Sequence, residues 1–93
     1  MKYYLISYDL KSPGKLYSSL YEEIKHLGEW RHPMESMWIV HTSDDISAVR
    51  IREMLKKHMD SGDLVFVANI TSVEYAGWLA NSFWEWFKKA SND

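Results

Sequence analysis

The spacing of apolar residues changes several times along the chain, and each change marks an element. Lys2 to Leu10 is rich in Tyr, Leu and Ile on both alternating faces and breaks at Ser12-Pro13-Gly14, the pattern of a buried central strand. Leu16, Tyr17, Leu20, Ile24 and Leu27 then follow helical spacing opposite Glu22, Glu23 and Lys25, with Gly28 placed as a C-terminal stop; this predicts an amphipathic helix. Residues 29–42 are aromatic and β-branched but interrupted by Pro33, which lacks a ladder donor and belongs at an edge or a turn. A hairpin is predicted, with a short edge strand around Trp30 to His32, a turn near Pro33 to Glu35 and a more central arm from Ser36 to His41.

Thr42, Ser43, Asp44 and Asp45 supply oxygens able to cap free amides ahead of Ala48, Ile51, Leu55 and Met59, so a second helix is expected to about Asp60. Ser61-Gly62-Asp63 turns the chain, and Leu64 to Ile70 is a short apolar run suited to a last core strand. Strand, helix, strand, strand, helix, strand is the ferredoxin-like βαββαβ plan, an α+β fold with both helices on one face of a four-stranded antiparallel sheet. The other face is then bare, to be covered by a partner, a ligand or the chain itself. Thr71-Ser72-Val73-Glu74 matches a capping box, and Tyr75, Trp78, Leu79, Phe83, Trp86 and Phe87 form an apolar stripe beyond it, so a Trp-rich C-terminal helix is predicted. Gly77 and Asn81 are poor residues for its interior. Without repeats or linkers, residues 1–93 read as one domain, a core of 1–70 with a helical tail of 71–93.

Composition narrows the chemistry. With 93 residues, 46% hydrophobic and 26% charged, the chain suits one small folded domain, for which a dimer interface would add stability. The absence of cysteine excludes disulfides, thiolate metal sites and thiol nucleophiles. The first residues lack the features of a signal peptide, and no apolar run approaches about 18 residues. A cytoplasmic protein without membrane attachment is expected. A net charge of -2 and a pI near 6.0 leave any nucleic-acid role to a local patch.

Asp9 is the leading candidate site residue, because a carboxylate ending an apolar strand could hold Mg²⁺ with water and phosphate completing the shell. The structural alternative is that it accepts backbone amides in the following turn. His26, His32, His41 and His58 show no metal-binding spacing and three of them stand near element ends; His41, at a strand end, is the best acid-base candidate among them. Ser7 and Ser36 lie in predicted strands, where either could orient a ligand. Arg50, Arg52, Lys56 and Lys57, extended by Lys11, Lys15 and Arg31, could meet nucleic acid, though Asp44, Asp45, Glu53 and Asp60 dilute them. The aromatic tail could stack bases, but Trp78, Trp84 and Trp86 are better suited to a core or dimer interface.

Tyr3-Tyr4-Leu5-Ile6-Ser7-Tyr8-Asp9-Leu10, Gly28, Arg31-His32-Pro33-Met34-Glu35-Ser36-Met37-Trp38-Ile39 and Asp63-Leu64-Val65-Phe66-Val67 together resemble the second of the two universal CRISPR adaptation proteins. The resemblance extends over Met1 to about Ile70 and includes the virulence-associated D toxins and the small SinR-like proteins, whose tail is similar to Tyr75 through Trp86. It implies a homodimer and a metal-dependent endonuclease site, with Asp9 as the Mg²⁺ ligand at the dimer axis and Ser36 beginning the strand beside it. RNA or DNA would be the substrate. The family's basic surface is not evident in this slightly acidic chain, so a second expectation stands beside the first: a non-catalytic dimeric scaffold that binds a protein partner or nucleic acid, with Trp78, Trp84 and Trp86 at its interface.

Overall fold

A computed structural model describes residues 1–12 and 17–91, with side chains given through residue 88. The predicted break at Pro13-Gly14, Lys15 of the basic patch, Leu16 of the first helix and the last two residues of the tail lie outside the described residues. The elements in chain order are β1 (Lys2–Asp9), α1 (Ser18–Lys25), β2 (Glu29–Met34), β3 (Met37–Thr42), α2 (Ala48–Lys56), β4 (Leu64–Asn69) and α3 (Asn81–Ser91). The strands form one antiparallel sheet in the order β2-β3-β1-β4. The result is a small α+β fold.

β1 lies inside the sheet because both of its faces are apolar. Tyr4, Ile6 and Tyr8 meet Trp38 and Val40 of β3, Leu20 and Ile24 of α1, and Ile51 and Leu55 of α2. Tyr3 points the other way and joins Ile39, Phe83 and Phe87 in a second core, with Leu5, Met37 and Trp86 packed against it. The sheet therefore has α1 and α2 on one face and α3 on the other. The bare face expected from the strand pattern is in part covered by the chain itself, because α3 carries Phe83 and Phe87 one turn apart on a single stripe.

Several boundaries differ from those predicted. Pro33 is inside β2, and the hairpin turn is Glu35-Ser36, between the facing residues Met34 and Met37. The ladder is irregular between Arg31 and Met34, so a residue without an N–H is accommodated there on an edge strand. Ser47 caps α2 by accepting the Arg50 N–H at 3.1 Å, in place of the predicted oxygens of residues 42–45. Those are otherwise engaged: Thr42 is buried and donates toward the Lys2 and Ser43 carbonyls, Asp44 pairs with the N-terminal ammonium, and Asp45 accepts from Ser43. The helix stops at Lys56, short of Asp60.

The capping-box reading of residues 71–74 also fails. The Thr71 hydroxyl accepts the Tyr3 N–H at 3.0 Å and donates to the Asn69 side chain, so it extends the end of the sheet. Ile70 completes that end by donating to the Tyr3 carbonyl at 2.8 Å. Residues 71–80 are non-helical, and α3 begins only at Asn81, with Phe83 and Trp84 donating to the Ala80 carbonyl. Asn81 thus occupies a helix start, where its side chain is tolerated far better than in an interior.

Gly28 does more than end a helix. The α1 cap is His26, and Gly28 adopts φ +155° where a Cβ would come within 2.2 Å of the His41 carbonyl oxygen. Only a residue without a side chain lets β2 enter the sheet this close to β3. Gly28→Ala should lower unfolding free energy by about 1–3 kcal/mol, the usual cost of forced overpacking. Chemical denaturation monitored by tryptophan fluorescence measures it, and an unchanged midpoint would contradict the close approach.

Candidate functional site

The alternation of β1 puts Ser7 and Asp9 on the same sheet face as Tyr3 and Leu5, but toward the end away from α3. Asp9 is exposed, faces Leu64 across the ladder and lies 2.6 Å from the Lys11 ammonium. Ser36 is exposed in the β2–β3 turn, outside the strand it was expected to begin. Its carbonyl accepts the Tyr8 N–H at 3.0 Å, so the fold brings Ser36 and Asp9 to one end of the sheet. The turn is held there by a buried polar pair: the Trp38 indole donates to the Tyr8 hydroxyl at 2.9 Å, and that hydroxyl donates to the Glu35 carbonyl at 3.3 Å. Burial pushes the Tyr8 phenol above its ordinary value, against the indole bond that lowers it. Tyr8 is therefore neutral and acts as a fixed strut.

A cavity of about 220 Å³ opens beside this end, between Ser7, Asp9, Leu64 and Phe66. Among the described residues, no three His, Cys, Asp or Glu side chains gather in a way that could hold a metal. One carboxylate already neutralised by an ammonium does not make a Mg²⁺ site within a single chain.

The carboxylate that organises the loop after β1 is Asp63, a residue expected from the sequence to stand in the turn before β4. It accepts the Lys11 N–H at 2.7 Å, the Asp60 N–H at 2.8 Å and the Tyr17 hydroxyl at 3.1 Å. The Lys11 amide above all, then the Asp60 amide and the Tyr17 hydroxyl, hold its carboxyl below the ordinary value. The role proposed as an alternative for Asp9, acceptance of turn amides, thus falls to Asp63. Its partner Lys11 is 52 residues away in sequence, so no local signal could have revealed it.

On the α3 face, a groove of about 840 Å³ runs between the sheet and the segment that leads into α3. Its floor includes Leu5, Met37 and Ile39, and its far wall includes Leu79, Phe83 and Trp84. Among the described residues its lining contains no Asp, Glu, His, Lys or Arg, so these residues offer apolar contact and adaptable thioethers. Trp78 stands at its lip, 99% exposed.

The other two interface candidates behave differently. Trp84 stacks on Tyr75, while Trp86 packs edge-on against Tyr3, donates to Glu29 at 3.1 Å and carries the Arg31 guanidinium 4.7 Å from its ring centroid. Both serve the chain's own second core. Three of the four histidines have partners: His32 stacks on Trp38, His41 stacks on Tyr3, and His58 Nε2 lies 3.4 Å from the Glu23 carboxylate, while His26 is exposed. Arg52 and Lys56 both pair with Glu53, and Lys11 with Asp9, which dilutes the basic patch. No family model, curated protein or solved structure matches the chain.

A group whose folded pKa is depressed contributes stability above its unfolded value and loses it as pH falls through the folded one. Asp63, its carboxyl held below the ordinary value, should therefore make wild type more stable than Asp63→Asn at neutral pH. The gap should narrow as pH falls below about 4, the ordinary carboxylate range. Parallel urea titrations of both proteins at pH 7 and pH 3 test this; a gap that widens on acidification would refute it.

Proposed function

We propose that this chain is a non-catalytic homodimeric binding module that holds an apolar segment of a protein partner in the groove beside α3. The observation that carries this reading is the groove itself: wide, open, lined by apolar and aromatic side chains, with no ionised group among the described residues of its lining. Met34 and Met37 at one side supply flexible contacts, and exposed Trp78 supplies the large, rigid aromatic surface typical of binding hot spots. The ferredoxin-like plan belongs to the same reading, supported by the order β2-β3-β1-β4 with α1 and α2 together on one face. So does a cytoplasmic location; no helix among the described residues is long and apolar enough to cross a membrane.

A second reading follows the resemblance to the CRISPR adaptation family and makes the chain a metal-dependent endonuclease acting on RNA or DNA. What favours it is the arrival of Asp9 and Ser36 at one end of the sheet beside an open cavity. The lone ion-paired carboxylate means that Mg²⁺ would have to draw further ligands from a second copy or the substrate, and would compete with Lys11 for Asp9.

One set of proteins separates the two. Peptides selected from a displayed library on wild type should carry spaced apolar anchors and bind Met37→Glu at least tenfold more weakly, while Asp9→Ala binds them unchanged. Neither wild type nor Asp9→Ala should cleave RNA or DNA with added Mg²⁺ or Mn²⁺. Ion-dependent cleavage by wild type that vanishes in Asp9→Ala would overturn the binding module in favour of the nuclease.

A further inference from the structure

The two edges of the sheet are built differently. β2, at one edge, carries Glu29, Arg31 and Pro33 and an irregular ladder between Arg31 and Met34; charge, proline and bulge are the usual devices that stop an edge from pairing. β4, at the other edge, is Leu64-Val65-Phe66-Val67-Ala68-Asn69. It has no charge and no proline, and it pairs with β1 without interruption from Asp9↔Leu64 to Tyr4↔Asn69. Two of its side chains are large, apolar and exposed, Leu64 at 60% and Phe66 at 66%.

The backbone of β4 is also free to pair. Tyr8 donates to the β3 side, at Ser36, and Tyr3 receives the Ile70 N–H on the β4 side. Even residues of β1 therefore bond toward β3 and odd residues toward β4. By the same alternation Leu64, Phe66 and Ala68 bond to β1, and Val65, Val67 and Asn69 turn their N–H and C=O groups to the open edge. Among the described residues no strand lies beyond them.

We propose that β4 pairs antiparallel with β4 of a second copy of this chain, on a two-fold axis at Phe66, joining the two sheets into one of eight strands. The proposal specifies the homodimer of the binding-module reading but leaves the groove out of the contact. A second copy fits this edge because the edge is self-complementary. With Phe66 on the axis, Val65 bonds with Val67 of the partner subunit and the converse, using the backbone groups that face outward. Phe66 meets its own copy in the close, non-hydrogen-bonded position, where Cα atoms are about 4.5 Å apart and aromatic pairs contact best. Leu64 falls opposite the small Ala68, so a large side chain meets a gap.

No ionised side chain of the strand faces its like, since β4 carries none. Above the edge on α2, Val49 is 60% exposed and lines one cleft with Val65, Phe66 and Val67. Arg52, the one charged residue among the described residues of that cleft, bonds Glu53 at 2.9 Å. Apolar surface thus flanks the edge on both faces of the sheet, and pairing would cover it on both.

This pairing has a consequence for Asp9. Each Asp9 lies one strand in from the axis and two residues along from it. Strand spacing and rise then put the two carboxylates roughly 20 Å apart. They could not share a metal.

The chain contains no cysteine, so Phe66→Cys is a single-thiol reporter. Mild oxidation should link it into a covalent dimer, because the expected Cα separation lies in the disulfide range, while Glu35→Cys in the turn at the β2 side should stay uncrosslinked. In sedimentation equilibrium, wild type should dimerise, Phe66→Lys should weaken the dimer at least tenfold with far-UV circular dichroism unchanged, and Met34→Lys should leave it intact. A wild type that is monomeric at high concentration would overturn the proposal, as would a dimer broken by Met34→Lys but not by Phe66→Lys. Peptide binding in the groove should survive Phe66→Lys, so loss of the edge contact and loss of the binding module would be seen separately.

Discussion

The structure depends on a central strand that is buried on both sides. β1 contributes Tyr4, Ile6 and Tyr8 to one core and Tyr3 to the other, each less than a tenth exposed. Burying a large side chain contributes about 1.5–3 kcal/mol, so a strand that does so on both faces must be covered on both, and here helices cover it. α1 and α2 cover one face within the core of the chain. The C-terminal segment has to return across the other, and α3 with its Phe83 and Phe87 is the means.

Four of these β1 and β3 aromatics carry polar atoms, and each is satisfied. The Tyr4 hydroxyl donates to the Ile46 carbonyl at 2.9 Å, and the Tyr3 hydroxyl reaches the Phe87 carbonyl at 3.5 Å. Tyr8 and Trp38 bond each other and hold the Glu35 carbonyl. No buried side-chain nitrogen or oxygen among the described residues lacks a partner. These bonds tie the ends of the sheet to the loops around it, so the tyrosines of β1 set loop positions as well as filling the core. α3 leaves part of its sheet face uncovered, where the groove and the Asp9 end lie.

The candidate site was legible only in part. Asp9 could be read as a strand-ending carboxylate, but the placement of Ser36 beside it came only from the resemblance, which made it the start of a strand where the structure has a turn. The pairing of Asp9 with Lys11 was open as well, since the two are neighbours along the chain. Asp63 was not legible as an organiser, because its partners Lys11 and Tyr17 come from the other end of the chain. The groove was equally hidden. Its residues are scattered from Leu5 to Phe87, and as a stripe they read the same as a helix packed flat against a partner.

The local pattern by itself determined the kinds of elements and their order, because alternation and helical spacing depend only on which residues are neighbours. β1, the α1 stripe, β3, α2 and β4 all lie where that pattern put them, within a few residues. Tertiary structure decided everything that turns on competition for a partner. Thr71 was a good cap on its own, yet its hydroxyl accepts the Tyr3 N–H at the end of the sheet, and residues 71–80 stay non-helical ahead of the last helix. Trp86 could have faced a second molecule, but Glu29 and Arg31 were already beside it. A side chain's preference is written in the sequence; which of several suitable partners it meets is settled only when distant segments are packed together.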